Sequence, residues 1–198
     1  MKFKLDWKIS LITISSTLLL MFDYYYKLTP WKNVDRTILY FLIPVLLITL
    51  ILRDNIRNFG FSLGDWKLGI KISLISIIIM VPILWLVVTT NTNMQDYYSF
   101  QVSGLPWNTL IDLFGWEFLF RGFLLFGYSR KFGPDAIWLQ AVPFALAHLG
   151  KPAIETLSTI FGGFAFGWIA YKTKSFIYPL LIHWFIASIT IIFASMVG

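Results

Sequence analysis

The chain has 198 residues, 58% hydrophobic and 13% charged, with a mean hydropathy of +0.73. Soluble domains carry roughly 45 to 50% apolar and about 25% charged residues, so this composition excludes an ordinary soluble protein and fits a chain solvated by lipid. The formal charge of +6 comes from Lys and Arg in short clusters at the ends of apolar runs, a topology pattern that excludes a nucleic-acid-binding stripe, and the absence of cysteine removes disulfides, thiol catalysis and thiolate metal sites.

Seven apolar segments follow one another, at about 8–24, 37–52, 68–88, 105–127, 135–149, 153–171 and 175–196. Spans of about 20 residues use up most of the chain. The expected fold is therefore all-α: a polytopic transmembrane helical bundle, one integral membrane domain over 1–198 with about seven spans. Lys2, Lys4 and Lys8 precede Ile9 to Met21 as in a signal peptide, but no small-x-small cleavage site follows, so this segment is expected to remain as the first span. Tyr24, Tyr25, Tyr26 and Trp31 then mark a membrane interface. Between the second and third segments, Phe59, Phe61 and Leu63 with Gly60 and Gly64 predict a loop or a short interfacial helix lying on the membrane.

Thr89 to Trp107 has a single charge, Asp96, and is expected outside. The basic residues of Arg53 to Lys71, Ser129 to Asp135 and Tyr171 to Ser175 are expected inside, giving an inner N-terminus and an outer C-terminus. Lys27, Lys32 and Arg36 fall outside, against that rule. The fifth segment is short. In the sixth, Gly162, Gly163 and Gly167 read as close helix packing.

Only two glutamates and two histidines occur, and Glu117, His148 and His183 fall within predicted spans. A charged side chain at the middle of a span is opposed by about 2.5 to 3.5 kcal/mol, so its presence marks a functional candidate. Arg121 stands four residues from Glu117, hence on the same helix face, where it would orient the carboxylate and favour its charged form. A helix rise of about 1.5 Å per residue places Glu117 ~18 Å and His183 ~18 to 20 Å from the outer boundary, a shared level. His148 would lie shallower unless its connection dips into the membrane, as non-helical backbone does where it lines a cavity. Gln140, Phe144 and His148 recur every four residues along one stripe, and Ala187 and Ser188 lie one turn beyond His183. Asp112 reads as facing a cavity mouth and Lys151 as an interfacial anchor.

A carboxylate and two imidazoles in a partly dry cavity can hydrolyse an amide: the carboxylate takes a proton from water, one histidine orients that water and the other donates to the oxyanion. The same three groups make a zinc set, but no H-E-x-x-H spacing is present, and neither metal nor cofactor is expected. Glu155 is a second candidate carboxylate. As an acid in the first turn of a helix begun by Pro152 it is favoured by the dipole, and on a re-entrant connection it would face His148.

The runs Glu117-Phe118-Leu119-Phe120-Arg121-Gly122, Phe144-Ala145-Leu146-Ala147-His148 and His183-Trp184-Phe185-Ile186-Ala187 resemble the E-E-x-x-x-R, F-x-x-x-H and H-x-x-x-N motifs of the CPBP intramembrane protease family, which includes the type II CAAX prenyl endopeptidases and lysostaphin-resistance or Abi-type proteins. The likeness covers about 105–187 as a protease-like core, and His148 to Glu155 is similar to an H-x-G-K-P-x-x-E variant of a bacterial branch. Trp116 stands where the family has its first glutamate, and Ala187 where it has asparagine. The resemblance implies an endopeptidase in which Glu117, Arg121, His148, His183 and Glu155 form the catalytic set, without metal or cofactor. It implies a multi-pass protein of a bacterial plasma membrane acting on a membrane-associated protein or peptide, with the lipid bilayer and no nucleic acid as partner. Trp116 and Ala187 favour the alternative, an inactive member serving as a bacteriocin-immunity or regulatory scaffold. A small transporter is a third reading, against which the lack of matching halves counts.

Overall fold

Each of the seven apolar segments forms a helix in the computed structural model, which describes residues 5–197, and no strand occurs among them. Lys2 and Lys4 lie outside the described residues. Helix α1 (Trp7–Tyr25) begins where the Asp6 carboxylate accepts from the backbone N–H groups of Lys8 and Ile9 at 3.1 and 3.3 Å, satisfying donors that a helix start leaves without partners. Helix α2 (Lys32–Ile51) follows a turn organised by the buried Asp35, which accepts from the backbone N–H groups of Leu28 and Thr29 and from the Thr29 hydroxyl. Asp65 caps α3 (Trp66–Thr90) and Asn91 caps α4 (Thr92–Tyr98) in the manner of Asp6. Helix α5 covers 107–132, and its Trp107–Glu117 portion passes through a π-helical stretch, Phe118–Leu124, into Leu125–Phe132. Helices α6 (Ala136–Leu146), α7 (Ala153–Thr173) and α8 (Ile177–Val197) complete the bundle.

Four helices, α2, α3, α7 and α8, are long and apolar enough to cross a membrane. Helix α6 has 11 residues, a rise of about 16 Å, and does not span a hydrocarbon core of about 30 Å by itself. The others surround α5. Every residue from Gly115 to Tyr128 is buried, which is why this stretch is apolar on all sides apart from one acid and one base. Helix α6 packs along α7, where Gly163 meets Phe144 and Ala141 and Gly167 meets Gln140. Gly162 faces open space instead and lines a cavity.

The segment after α2 is a loop with one short helix: Asn55 caps a single 3₁₀ turn (Ile56–Phe59) that delivers Phe59, fully buried, against Phe123, while Phe61, partly exposed, stacks on Phe176. Burial of one ring outweighs the interfacial preference of its neighbours, and Gly60, at φ +79°, turns the chain where a side chain would collide with Phe126 and Phe176. The segment after α3 carries α4 and a 3₁₀ stretch, Ser99–Gly104. The misplaced cations of the α1–α2 connection are also accounted for. Lys32 pairs with Asp23 at 2.7 Å, and Arg36 with Asp112 at 2.5 Å and Asp23 at 3.5 Å, so two of the three charges are matched within the protein.

At Gly115, a Cβ atom would lie 2.5 Å from the carbonyl oxygen of Arg36, so only glycine lets α5 approach α2 this closely. The Gly115→Val variant is expected to lose about 1 to 3 kcal/mol of stability by overpacking. Thermal unfolding in detergent checks this, and an unchanged midpoint would show that α2 shifts aside freely.

Candidate active site

Glu117 sits at the entry to the π-helical stretch of α5 with no exposed surface. Its Oε1 accepts from Arg121 Nη1 at 3.2 Å, one turn along, and lies 2.6 Å from Nδ1 of His183 on α8. Two helices far apart in sequence thus meet at one oxygen. A carboxylate against Nδ1 fixes the imidazole with that nitrogen protonated and leaves Nε2 on the opposite edge. The Arg121 guanidinium is likewise fully buried and lies over the rings of Phe144 (3.8 Å) and Phe166 (5.2 Å), which supply the cation–π surface that one carboxylate oxygen cannot.

His148 lies two residues past the end of α6, in the turn leading to α7, yet its Nδ1 still faces the Phe144 carbonyl oxygen at 2.8 Å. That bond assigns the proton to Nδ1 and leaves Nε2 as an acceptor. The Phe144 ring stands between the two histidines, 4.4 Å from His148 and 6.1 Å from His183. Both imidazoles line one cavity of about 280 Å³, otherwise walled mainly by apolar side chains of α3, α7 and α8. Glu155, in the first turn of α7, is the carboxylate on that wall. Its Oε1 accepts from Lys151 Nζ at 2.8 Å and its Oε2 from the Tyr98 hydroxyl at 2.6 Å. Lys151 is therefore not a free interfacial anchor but the counter-ion of Glu155. Asp112 is held by Arg36 and lines not the cavity itself but the adjoining pocket that shares His183 and Lys151 with it, in keeping with a place at the cavity mouth.

The geometry divides the candidate residues into two groups. Glu117 and Arg121 are sealed behind His183, whereas His148, His183 and Glu155 share the cavity wall. Trp116 points away from that wall. Its ring lies under the Arg36 guanidinium at 4.9 Å, beside Tyr40, and edge-on to His148 at 5.6 Å. Ala187 lines the cavity without a polar group, and the Ser188 hydroxyl is buried with no protein partner. Tyr98 is the functional candidate that the sequence reading passed over. Its signal would have been a tyrosine in an otherwise weakly charged segment between two spans. Among the described residues no cluster of three or more histidines and carboxylates is placed to hold a metal ion.

The family model described as type II CAAX prenyl endopeptidase Rce1-like matches residues 98–189, a range that runs from Tyr98 through His183. Over these residues the chain is similar to the Rce1-like family. No match was found among curated proteins or among solved structures. The Rce1-like family is one of proteases, and the membrane-length helices make the chain a membrane protein.

Because the Glu117–Arg121 pair has no access to solvent, removing Arg121 takes from the buried Glu117 its one full counter-charge and leaves it His183 alone. Arg121→Met is expected to cost about 3 to 5 kcal/mol, and the double variant Glu117→Gln/Arg121→Met to recover much of that loss. Unfolding midpoints in detergent measure both, and a double variant no more stable than the single one would contradict a compensated pair.

Proposed function

We propose that the chain is an intramembrane endopeptidase that hydrolyses a peptide bond of a membrane-associated protein or peptide. The observation that carries this reading is the shared cavity, in which a carboxylate and two imidazoles, each held through its Nδ1, face one space. Glu155 takes the proton of a water molecule, since it is the carboxylate on the cavity wall, and each of its oxygens has a further lone pair beyond the bond it already accepts. Nε2 of His148 accepts from the other hydrogen of that water. The water oxygen adds to the peptide carbonyl carbon, and charge develops on the carbonyl oxygen. His183, when protonated at both ring nitrogens, donates from Nε2 to that oxygen while its Nδ1 stays against Glu117. The proton held by Glu155 then passes to the leaving amine nitrogen as the C–N bond breaks, giving a carboxyl and an amine product.

In this scheme Glu117 and Arg121 act through His183, as the buried acid of a hydrolase triad acts through its imidazole. The cavity is apolar within, and a polar vestibule of about 550 Å³ that shares Tyr98, Lys151 and His183 with it adjoins it, which suits a substrate segment with an apolar part and a polar flank, as in a bacteriocin-like peptide or a membrane-associated protein. A second reading, a regulatory or immunity scaffold without turnover, is favoured by the Trp116 ring, which lies against His148 and carries no acid.

Purified protein in lipid vesicles, offered a library of apolar peptides, distinguishes them. Glu155→Gln and His183→Ala are each expected to lower the cleavage rate by about 10² to 10⁴, while Glu117→Gln lowers it less. Cleavage that survives Glu155→Gln would remove the assigned base, and an inert wild type would favour the scaffold.

A further inference from the structure

The Tyr98 hydroxyl lies 57 residues from its partner and is the strongest neutral contact that Glu155 makes, at 2.6 Å. Lys151 closes the arrangement, 2.8 Å from the other Glu155 oxygen and 3.3 Å from the Tyr98 hydroxyl. Tyr98 is the last residue of α4, and its ring is 6% exposed, packed against Val88 of α3 and Ile191 and Ala194 of α8. Burial, and next the charge of Glu155, push its phenol well above the usual tyrosine range, so it keeps its proton and acts as the donor. Lys151 and Tyr98 line both the cavity and the adjoining vestibule. The Glu155 carboxylate is thus clamped from α4 on one side and from the α6–α7 turn on the other, at the boundary a substrate must cross.

We propose that Tyr98 is a positioning residue for the reaction: with Lys151 it holds the Glu155 carboxylate in a fixed direction on the wall of the histidine cavity, making α4 part of the catalytic apparatus. This rests on the reading of Glu155 as the base. A carboxylate held by two donors from separate elements has its oxygens fixed in direction, and small misplacement of a reacting group is costly in rate. The ring of Tyr98 does the packing, whereas its hydroxyl does the positioning, so Tyr98→Phe separates the two roles.

Two measurements on the full chain in lipid vesicles test this. In the first, Tyr98→Phe is expected to lower kcat by about 10- to 100-fold on a cleaved library peptide, with KM and unfolding midpoint little changed. In the second, dicyclohexylcarbodiimide, which adds to protonated carboxyl groups in apolar surroundings, is applied at pH 7 and labelling of the Glu155 and Glu117 peptides is followed by mass spectrometry. Loss of a donor favours the protonated acid, so Glu155 is expected to label about tenfold faster in Tyr98→Phe than in wild type, with Glu117 unchanged. An equal Glu155 rate in both would overturn the role of Tyr98 even if peptides are cleaved. Faster labelling in a protein that cleaves no peptide would leave the Tyr98–Glu155 coupling standing and overturn the endopeptidase reading. Should Tyr98→Phe not fold, Tyr98→Met, which also fills the apolar slot, takes its place in the labelling experiment.

Discussion

A carboxylate with no exposed surface must be neutralised where it stands, and the arrangement of this bundle follows from how Glu117 meets that demand. Its own helix supplies Arg121 one turn away, and α8 supplies His183 to the same oxygen. The second contact cannot be made unless α5 lies at the centre with α8 against it at a matched depth. The aromatic residues follow from the first contact: Phe144 and Phe166 cover the faces of a guanidinium that has one carboxylate oxygen and no water. Phe144 also offers its backbone oxygen to His148, so one residue orders both the buried cation and the second imidazole. In this way a stability requirement of the apolar interior fixes the orientation of the groups that face the cavity.

The division between a sealed pair and an open wall places the two acids in different surroundings. Glu117 is engaged twice at one oxygen and is shut off from the cavity, which suits a group that sets the state of an imidazole. Glu155 stands on the wall, with its charge matched by Lys151 and its direction set by Tyr98. The tryptophan at 116 is then no intruder in the cavity. It fills space between Arg36, Tyr40 and His148 and limits how the His148 ring can turn.

Much of this was legible in the sequence because the bilayer restricts the choices. Apolar runs of span length became helices, and counting the helix rise from two different ends put Glu117 and His183 at one level, where the structure has them 2.6 Å apart. Other features had no local signal. The contact of Tyr98 with Glu155 joins a seven-residue helix to a residue 57 positions away, and a helix that short carries no periodicity to read. Phe59 looked like one of three interfacial apolar residues, and only the space beside Phe123 singles it out. The π-helical turn that re-aims α5 after Glu117 depends on packing around Phe118 to Leu124, not on a residue type that announces it.

The tie between Glu117 and His183 is the claim on which the rest stands, and ¹⁵N NMR of histidine-labelled protein in lipid vesicles tests it most directly. With the His183 signals assigned by their loss in His183→Gln, the expected result is a protonated, strongly hydrogen-bonded Nδ1 whose signal moves in Glu117→Gln and stays in place in Glu155→Gln. An Nδ1 without a proton, or a signal indifferent to Glu117→Gln, would contradict it.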